Sequence, residues 1–412
     1  MIGGKGKDTF NIHGNVRNAV YDYKTDSNFV IHSHKTDNQI NTNPNANFYD
    51  ITGFNYNSYR LPLLSFSYND DDKFIAGIGY SLKTYGFRKD PYSTFQSLTS
   101  VVSFNTGRYQ VHYNGEFNQV ILSKYDVLAT GSLFNTVLNN YFGLGNETKI
   151  DKSQDMNFYK VRYNYLSGDI LLRKRFHKLA ELSFGPSYYH YWNHYYDNRG
   201  KILSQPALTG LDSSNIYSDK TYVGPKVSII IHNLNNDLFP TRGLYWTTEL
   251  TSLFGINDDS RQLTKLTTDM AVYASYKDPT RLVTVLRFGY GHIFSKNYEY
   301  FQALDLGANN YLRGFRKNRF AGRSMMYEST EFRYKLFDSK SYILPGAVGL
   351  LAFNDVGRVW VKDQTSHKWH DSFGGGLYYS PYNFFIVSGM IAFSSESSLL
   401  NFSIGTKVNI TY

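Results

Sequence analysis

The sequence predicts an all-β protein, a transmembrane antiparallel β-barrel of about sixteen strands. The 412 residues include 37 Tyr, 30 Phe and 33 Gly, yet the mean hydropathy is −0.42, so apolar residues must alternate with polar ones. No stretch approaches the roughly 18 consecutive apolar residues of a transmembrane helix. Alternating segments of about ten residues, separated by turns, are instead typical of a transmembrane barrel. A soluble β-sandwich would not need so many long strands in succession.

Turn signals divide the chain into strands and two kinds of connection. The sixteen predicted strands lie near residues 59–69, 72–88, 94–106, 108–121, 125–136, 156–176, 179–193, 220–233, 243–256, 262–277, 281–294, 325–337, 342–354, 369–380, 383–394 and 398–412. The tight connections, predicted to be periplasmic, are 177–178, 278–280, 338–341 and 380–382. The long connections, predicted to be extracellular, are 137–154, 194–219, 295–324 and 355–368. With a periplasmic N-terminus, the connection at 295–324 is the sixth extracellular loop.

The last predicted strand shows the alternation most clearly. Its even positions from Leu400 to Tyr412 are almost all apolar and suit contact with lipid. Its odd positions from Asn401 to Thr411 are polar and suit the interior. Backbone polar groups in lipid must all be paired, which requires the sheet to close on itself.

Residues 1–50 form a polar lead, and the barrel is predicted to span residues 51–412. Asp8 to Tyr23 could hold a short strand or a plug, and residues 33–47 resemble a linker. The first residues have no apolar segment of the kind found in signal peptides, so a precursor is expected to carry one.

The chain is organised around the stretch from Tyr298 to Arg333, and about thirty residues between the strands at 281–294 and 325–337 show no helical or strand period. Loops of about thirty residues are rare in compact proteins unless they are functional or disordered. An aromatic, basic segment is not typical of a disordered linker, so we expect loop six to fold into the barrel lumen. Arg313 would lose hydration there and would need partners. The alternative interpretation of Arg313 is a charge on a surface loop.

Four segments in the C-terminal half carry a family resemblance. They are Tyr311–Phe315 (YLRGF), Asn236–Gly243 (NDLFPTRG), Ser329–Phe332 (STEF) and Phe353–Gly357 (FNDVG). In this order they resemble the (V/L)RG(F/Y) loop motif, the FPTRG turn, the strand-twelve acidic motif and the FxDxG motif at the end of strand thirteen. These motifs belong to the outer-membrane insertase superfamily of the BamA and TamA type, whose barrel is the bacterial surface antigen domain.

The resemblance implies that loop six is pinned to the barrel wall. Its tip comprises Leu312, Arg313, Gly314 and Phe315. Arg313 is expected to pair with Glu331 and Asp355, because a planar guanidinium can hold carboxylates bidentately. Gly314 is expected to allow a sharp turn. Glu328 lies on the opposite face from Glu331 by alternation and is not expected to take part.

Two further groups of residues are implied by the resemblance. The periplasmic turn motif comprises Phe239, Pro240, Thr241, Arg242 and Gly243, in which Pro240 and Arg242 are expected to serve turn geometry. A β-signal for barrel assembly comprises Gly405, Val408, Ile410 and Tyr412.

The resemblance implies a function in inserting or translocating proteins at the bacterial outer membrane. In an alternative, the barrel anchors or exports an N-terminal hydrolase of a longer polypeptide, as in relatives fused behind patatin-like or phosphoesterase domains. The Asn-, Tyr-, Lys- and Phe-rich composition resembles that of Bacteroidetes proteins. A passive porin is a third alternative, which a pinned loop disfavours. Expected partners are outer-membrane lipid or lipopolysaccharide, a client or passenger polypeptide, and accessory lipoproteins.

Signals for other chemistry are weak. The motifs GxSxG and HExxH and a phosphate-binding glycine loop are missing from the sequence, so we assign no catalytic residue and no cofactor. We also assign no metal site, because the run from Tyr188 to Tyr196, with its two histidines, is typical of an outer aromatic girdle. The net charge of +9 is spread over the strands without a recognition helix. This pattern disfavours nucleic acid and suits anionic lipid headgroups.

Overall fold

The structure is a computed structural model of the whole chain. It describes all residues except 2, 4–5, 14–17, 25–27, 32–34, 39, 41–57, 70–72, 86–90, 105–106, 123, 177–178, 210, 212–214, 277–279, 309–310, 341, 343, 363, 382–384 and 407–412. The chain divides into two compact units, Met1–Tyr56 and Asn57–Tyr412.

The N-terminal unit contains four three-residue strands that pair in parallel. They are β1 Thr9–Asn11, β2 Asn18–Val20, β3 Phe29–Ile31 and β4 Thr36–Asn38. Strand β1 pairs with β3, and β2 pairs with β4, so the chain makes two stacked coils. Phe10, Ile12 and Val20 are buried between them, with Val30 and Ile40 alongside. A short strand was predicted within Asp8–Tyr23, whereas β4 lies in the stretch predicted to be a linker.

The second unit contains the sixteen predicted strands in a single antiparallel sheet. The first eleven are β5 Ser58–Asn69, β6 Lys73–Thr84, β7 Thr94–Ser103, β8 Arg108–Ile121, β9 Tyr125–Asn140, β10 Lys160–Phe176, β11 Ala180–Trp192, β12 Lys220–Leu234, β13 Gly243–Gly255, β14 Leu263–Tyr276 and β15 Leu282–Ile293. After loop six come β18 Ser324–Ser339, β19 Gly346–Trp360, β20 His370–Pro381, β21 Phe385–Ser394 and β22 Ser398–Thr406. The predicted all-β class with sixteen antiparallel strands is thereby confirmed.

Each strand pairs with its neighbours in the chain, and the order returns to its start where β22 meets β5. Among the described residues this last seam contains two residue pairs, Phe402 with Tyr68 and Ser403 with Ser67. The adjacent β21–β22 ladder contains nine. The seam is therefore the junction with the fewest residue pairs in the described part of the sheet.

The two faces of the sheet differ in chemistry, as alternation requires. Large apolar side chains are exposed along the outer face, among them Ile170 (61%), Phe184 (56%) and Leu286 (50%). The opposite face, called the inner face here, carries polar pairs such as Lys226 with Glu249, whose charged atoms lie 2.9 Å apart. An apolar outer band and a polar interior are the arrangement of a transmembrane barrel. No helix in the described part of the chain is long and apolar enough to cross a membrane.

Short helical turns and one small hairpin occupy the connections at the long-loop end. The helical turns are α1 Met156–Tyr159, Tyr195–Asn198, Ile202–Ser204, α2 Pro206–Thr209 and Tyr300–Gln302. Within loop six, β16 Leu304–Leu306 pairs with β17 Phe320–Gly322. The sequence shows no strand period in this loop because three-residue strands are too short to produce one.

The predicted outer aromatic girdle is also corrected in part. Tyr191 is completely buried, and its ring stacks on Phe301 of loop six with centroids 3.9 Å apart. Tyr189 also stacks on Phe301, at 6.2 Å. Alternation along β11 directs these odd positions inward, so they form a core beneath the long loops.

Candidate functional site

The candidate site is the tip of loop six, residues 294–323, where it meets β18 and β19. Leu312 and Phe315 are completely buried and pack with Leu306, Phe320 and Val359. A turn closes the tip, because the N–H of Phe315 donates to the carbonyl of Leu312 at 3.0 Å. The backbone before the tip is strained, since Tyr311 has φ 62°. The tip is thus a packed anchor with its own apolar cluster.

Arg313 bonds to acidic residues on the inner face. Its Nη2 and Nε donate to the two carboxylate oxygens of Asp355 at 2.7 and 3.0 Å, a bidentate contact. Its Nη1 donates to Glu331 at 2.5 Å. Its guanidinium carbon lies 3.6 Å from the centre of the Phe353 ring. The structure therefore brings Arg313, Glu331 and Asp355 together, and Asp355 sits within β19 rather than at its predicted end, because β19 continues to Trp360.

The electrostatics follow from this burial. Asp355 is completely buried, and it also accepts the backbone N–H of Arg313 at 3.0 Å. Burial alone lowers the pKa of Arg313, but the bonds and charges of Asp355 and Glu331 outweigh it and raise that pKa above its ordinary value. Arg313 therefore stays charged at any physiological pH.

Glu331 links the loop tip to the opposite end of the barrel. Its second oxygen accepts a bond from Nε of Arg333 at 2.6 Å. The guanidinium of Arg333 in turn lies 4.6 Å from the centre of the Phe239 ring. Phe239 belongs to the turn motif and also packs on Tyr378. The turn motif is thereby connected to Arg313 through two residues, a link that sequence reasoning did not anticipate.

Gly314 is needed for a reason other than the predicted sharp turn. It is not among the residues with positive φ in the described chain. A Cβ at this position would lie 2.5 Å from the carbonyl oxygen of Phe393 and 2.7 Å from the Cβ of Ser372. Close approach to the backbone of β21, rather than a left-handed conformation, therefore excludes a side chain.

Gly314→Ala is expected to destabilise the barrel by about 1–3 kcal/mol, the usual cost of overpacking. The obstructing atoms of Phe393 are backbone atoms, which cannot rotate away. The measurement is the temperature at which the band of the folded protein shifts in gel electrophoresis. Gly131→Ala is the matched control, since a Cβ there meets nothing within 4 Å. Equal shifts for the two variants would contradict the explanation.

The profile of the Omp85 superfamily domain matches residues 96–410. The chain belongs to the Omp85 superfamily. No match to this sequence was found among curated proteins. Membership and the barrel fold together indicate a bacterial outer-membrane protein.

Solved structures similar to this Omp85 domain share its fold at low identity. BamA from Haemophilus ducreyi lacking POTRA domains 1–3 has a TM-score of 0.58 at 13% identity, over 93% of this chain and 73% of that one. CdiB from Escherichia coli has a TM-score of 0.52 at 11% identity, over 87% of this chain and 63% of that one. CdiB from Acinetobacter baumannii has a TM-score of 0.50 at 11% identity, over 85% of this chain and 59% of that one. The chain thus spans about three fifths of each CdiB.

The Omp85 domain has a second anchor of loop six, which sequence reasoning missed. Arg319 is 1% exposed, and its Nε and Nη2 donate to the carboxylate of Glu396 at 2.6 and 2.8 Å. Its Nη1 donates to Thr148 Oγ1 at 2.7 Å. Arg319 therefore joins loop six to the β9–β10 and β21–β22 connections. These partners are remote in the chain and form no motif with it.

The remaining predicted residues of the Omp85 domain belong to the turn motif and the β-signal. In the turn motif, Asn235 Oδ1 accepts the N–H groups of Thr241 and Arg242 at 3.1 Å each. Gly243 has φ 130°, a conformation that favours glycine. Of the predicted β-signal, Gly405 lies in β22 opposite Ile386. The other three residues, 408, 410 and 412, lie outside the described residues.

Proposed function

We propose that this protein inserts or translocates polypeptides at the bacterial outer membrane, with loop six held in the lumen by Arg313. The observation that carries the proposal is the seam between β22 and β5, which has two residue pairs among the described residues. An edge with unpaired backbone groups can template an incoming strand. BamA and CdiB, whose folds are similar, favour the same class of activity for this chain.

The sequence of β5 supports a seam that opens. Pro62 removes one backbone donor from this strand, and the β5–β6 ladder shifts register between Arg60 and Leu63. Fewer backbone bonds therefore hold the first part of β5 in the sheet. We infer that a client strand pairs at this edge, while the pinned loop keeps the rest of the barrel rigid.

The proposed partners follow from the apolar outer face of the sheet and from the strand edge at the β22–β5 seam. The client is an unfolded polypeptide able to form a β-strand. The exposed apolar outer face requires lipid, and the net charge of +9 favours anionic headgroups such as those of lipopolysaccharide. Accessory lipoproteins are a further proposed partner.

Locking the seam is expected to abolish this activity. The chain has no cysteine, so Tyr68→Cys with Phe402→Cys, at directly paired positions, introduces a single disulfide. The purified protein is placed in liposomes, and the folding rate of an added unfolded barrel protein is measured. We expect the reduced variant to accelerate folding severalfold and the oxidised variant to give the same folding rate as liposomes without the protein.

The matched control locks a complete ladder instead. Ile391→Cys with Leu400→Cys cross-links β21 to β22, which need not separate, and should leave the acceleration unchanged. Equal activity of the oxidised and reduced seam variants would exclude a role for the seam. A barrel that accelerates nothing in either state would favour the anchor alternative, and a steady ion conductance with no acceleration would favour the porin.

A further inference from the structure

The N-terminal unit contains a turn sequence that the barrel does not explain. Gly3 to Asn11 reads GGKGKDTFN and follows the nonapeptide pattern G-G-x-G-x-D-x-U-x, in which U is a large apolar residue. In parallel β-coils built from this repeat, the glycine-rich turns bind Ca²⁺. Phe10, at the U position, is buried at the centre of β1. The motif therefore occurs in the structural setting that its chemistry requires.

The fold stacks a second turn on the first. Because β1 runs parallel to β3, Asn28, which precedes β3, lies beside Asp8, which precedes β1, and its Oδ1 accepts the N–H of Asp8 at 2.9 Å. Backbone bonds join the two turns at both ends. The N–H of Gly3 donates to the carbonyl of Tyr21, and the N–H of Phe29 donates to that of Asp8, each at 3.0 Å. The described ends of two successive turns are thus held side by side.

Asp22, in the second turn, points to a cation. Its side chain is 0% exposed, and its Oδ2 has no hydrogen-bond partner among the described residues. Its Oδ1 accepts the N–H of Tyr23 at 2.7 Å. A buried carboxylate oxygen without a partner carries a desolvation cost that a bound cation removes. The carboxylate lies against Gly3, where a Cβ would be 2.0 Å from Oδ2, so a side chain at position 3 would displace the carboxylate.

We propose that the N-terminal unit binds Ca²⁺ beside Gly3, with Asp22 as the charged ligand and backbone carbonyls of the described residues around it as further ligands. Among the described residues no three His, Cys, Asp or Glu side chains meet, so the site depends on oxygens of the main chain. Flexible, oxygen-only coordination suits Ca²⁺ better than Mg²⁺, which demands near-octahedral geometry. The expected Kd is about 0.1–1 mM, the range of extracellular modules. This proposal is independent of the proposed function and departs from the expectation of no metal ligand.

Terbium luminescence tests the site. Tb³⁺ takes the ligands of Ca²⁺ and emits when nearby tyrosines are excited, and Tyr21 and Tyr23 flank Asp22. The full chain in detergent is stripped with a chelator and titrated with Tb³⁺, which Ca²⁺ then displaces. We expect displacement by Ca²⁺ at about 0.1–1 mM and much weaker displacement by Mg²⁺. Asp22→Asn is expected to lower the affinity by at least about tenfold, because it removes the charged ligand.

Asp37→Asn is the matched control, since Asp37 is an exposed carboxylate of the same unit, and it should bind as the wild type does. Unchanged affinity in Asp22→Asn would overturn the proposal.

A second measurement uses the wild type alone, so that a failure of the variant to fold cannot decide the matter. Proteolysis of residues 1–40 should slow when Ca²⁺ is added. Equal cleavage rates with saturating Ca²⁺ and with chelator would equally overturn it.

Discussion

Arg313→Ala is expected to destabilise the anchored loop by about 3–5 kcal/mol, the cost of leaving a buried charge without its partner. Asp355 is completely buried, and after the change its side chain would retain Ser329 Oγ at 2.7 Å and Ser372 Oγ at 3.4 Å. Neither hydroxyl neutralises a carboxylate. The measurement is the rate of protease cleavage within loop six, which should rise about a hundredfold or more if cleavage follows loop opening.

A second substitution shows which carboxylate loses more stabilisation when Arg313 is removed. Glu331 keeps its bond to Arg333 at 2.6 Å, whereas Asp355 loses its only cationic partner among the described residues. Asp355→Asn in the Arg313→Ala background should therefore restore more protease resistance than Glu331→Gln does. Arg261→Ala, at an exposed arginine, is the control and should change stability by less than about 0.5 kcal/mol. Equal rescue by the two second substitutions would refute this account of the ion pair.

Arg319→Ala is expected to cost about 2–4 kcal/mol, through lost charged hydrogen bonds and lost packing. The effect should be smaller than that of Arg313→Ala, because the side chain of Glu396 is already 30% exposed and can be rehydrated. Arg319→Lys keeps the charge but not the bidentate contact, so an intermediate loss is expected. The readout is proteolysis near residues 315–323 and 394–398, together with the thermal shift in electrophoresis.

The two arginines belong to one loop, so their effects should not add. If either change releases the whole tip, Arg313→Ala with Arg319→Ala should cost little more than Arg313→Ala alone. Full additivity would mean instead that the loop has two independent anchors.

The order of the strands follows from the sequence because a barrel strand must alternate apolar and polar residues along its whole length. The same alternation predicts that Glu331 faces inward and Glu328 outward. The ends of the strands are predicted less well by this alternation. β19 continues to Trp360, past its predicted end, since the residues added there pair with β18 and β20 instead of turning.

Contacts between distant residues were decided by the tertiary structure. Arg319 meets Glu396 and Thr148, which are 77 and 171 residues away, and no local pattern encodes such a meeting. The reason for Gly314 lies in the backbone of β21, and the buried carboxylate of Asp22 lies against Gly3 because two coils stack. Local periodicity thus determines which face each side chain takes. Which side chains then share an interior depends on how the sheet curves and the loops fold, and this is fixed by packing across the whole chain.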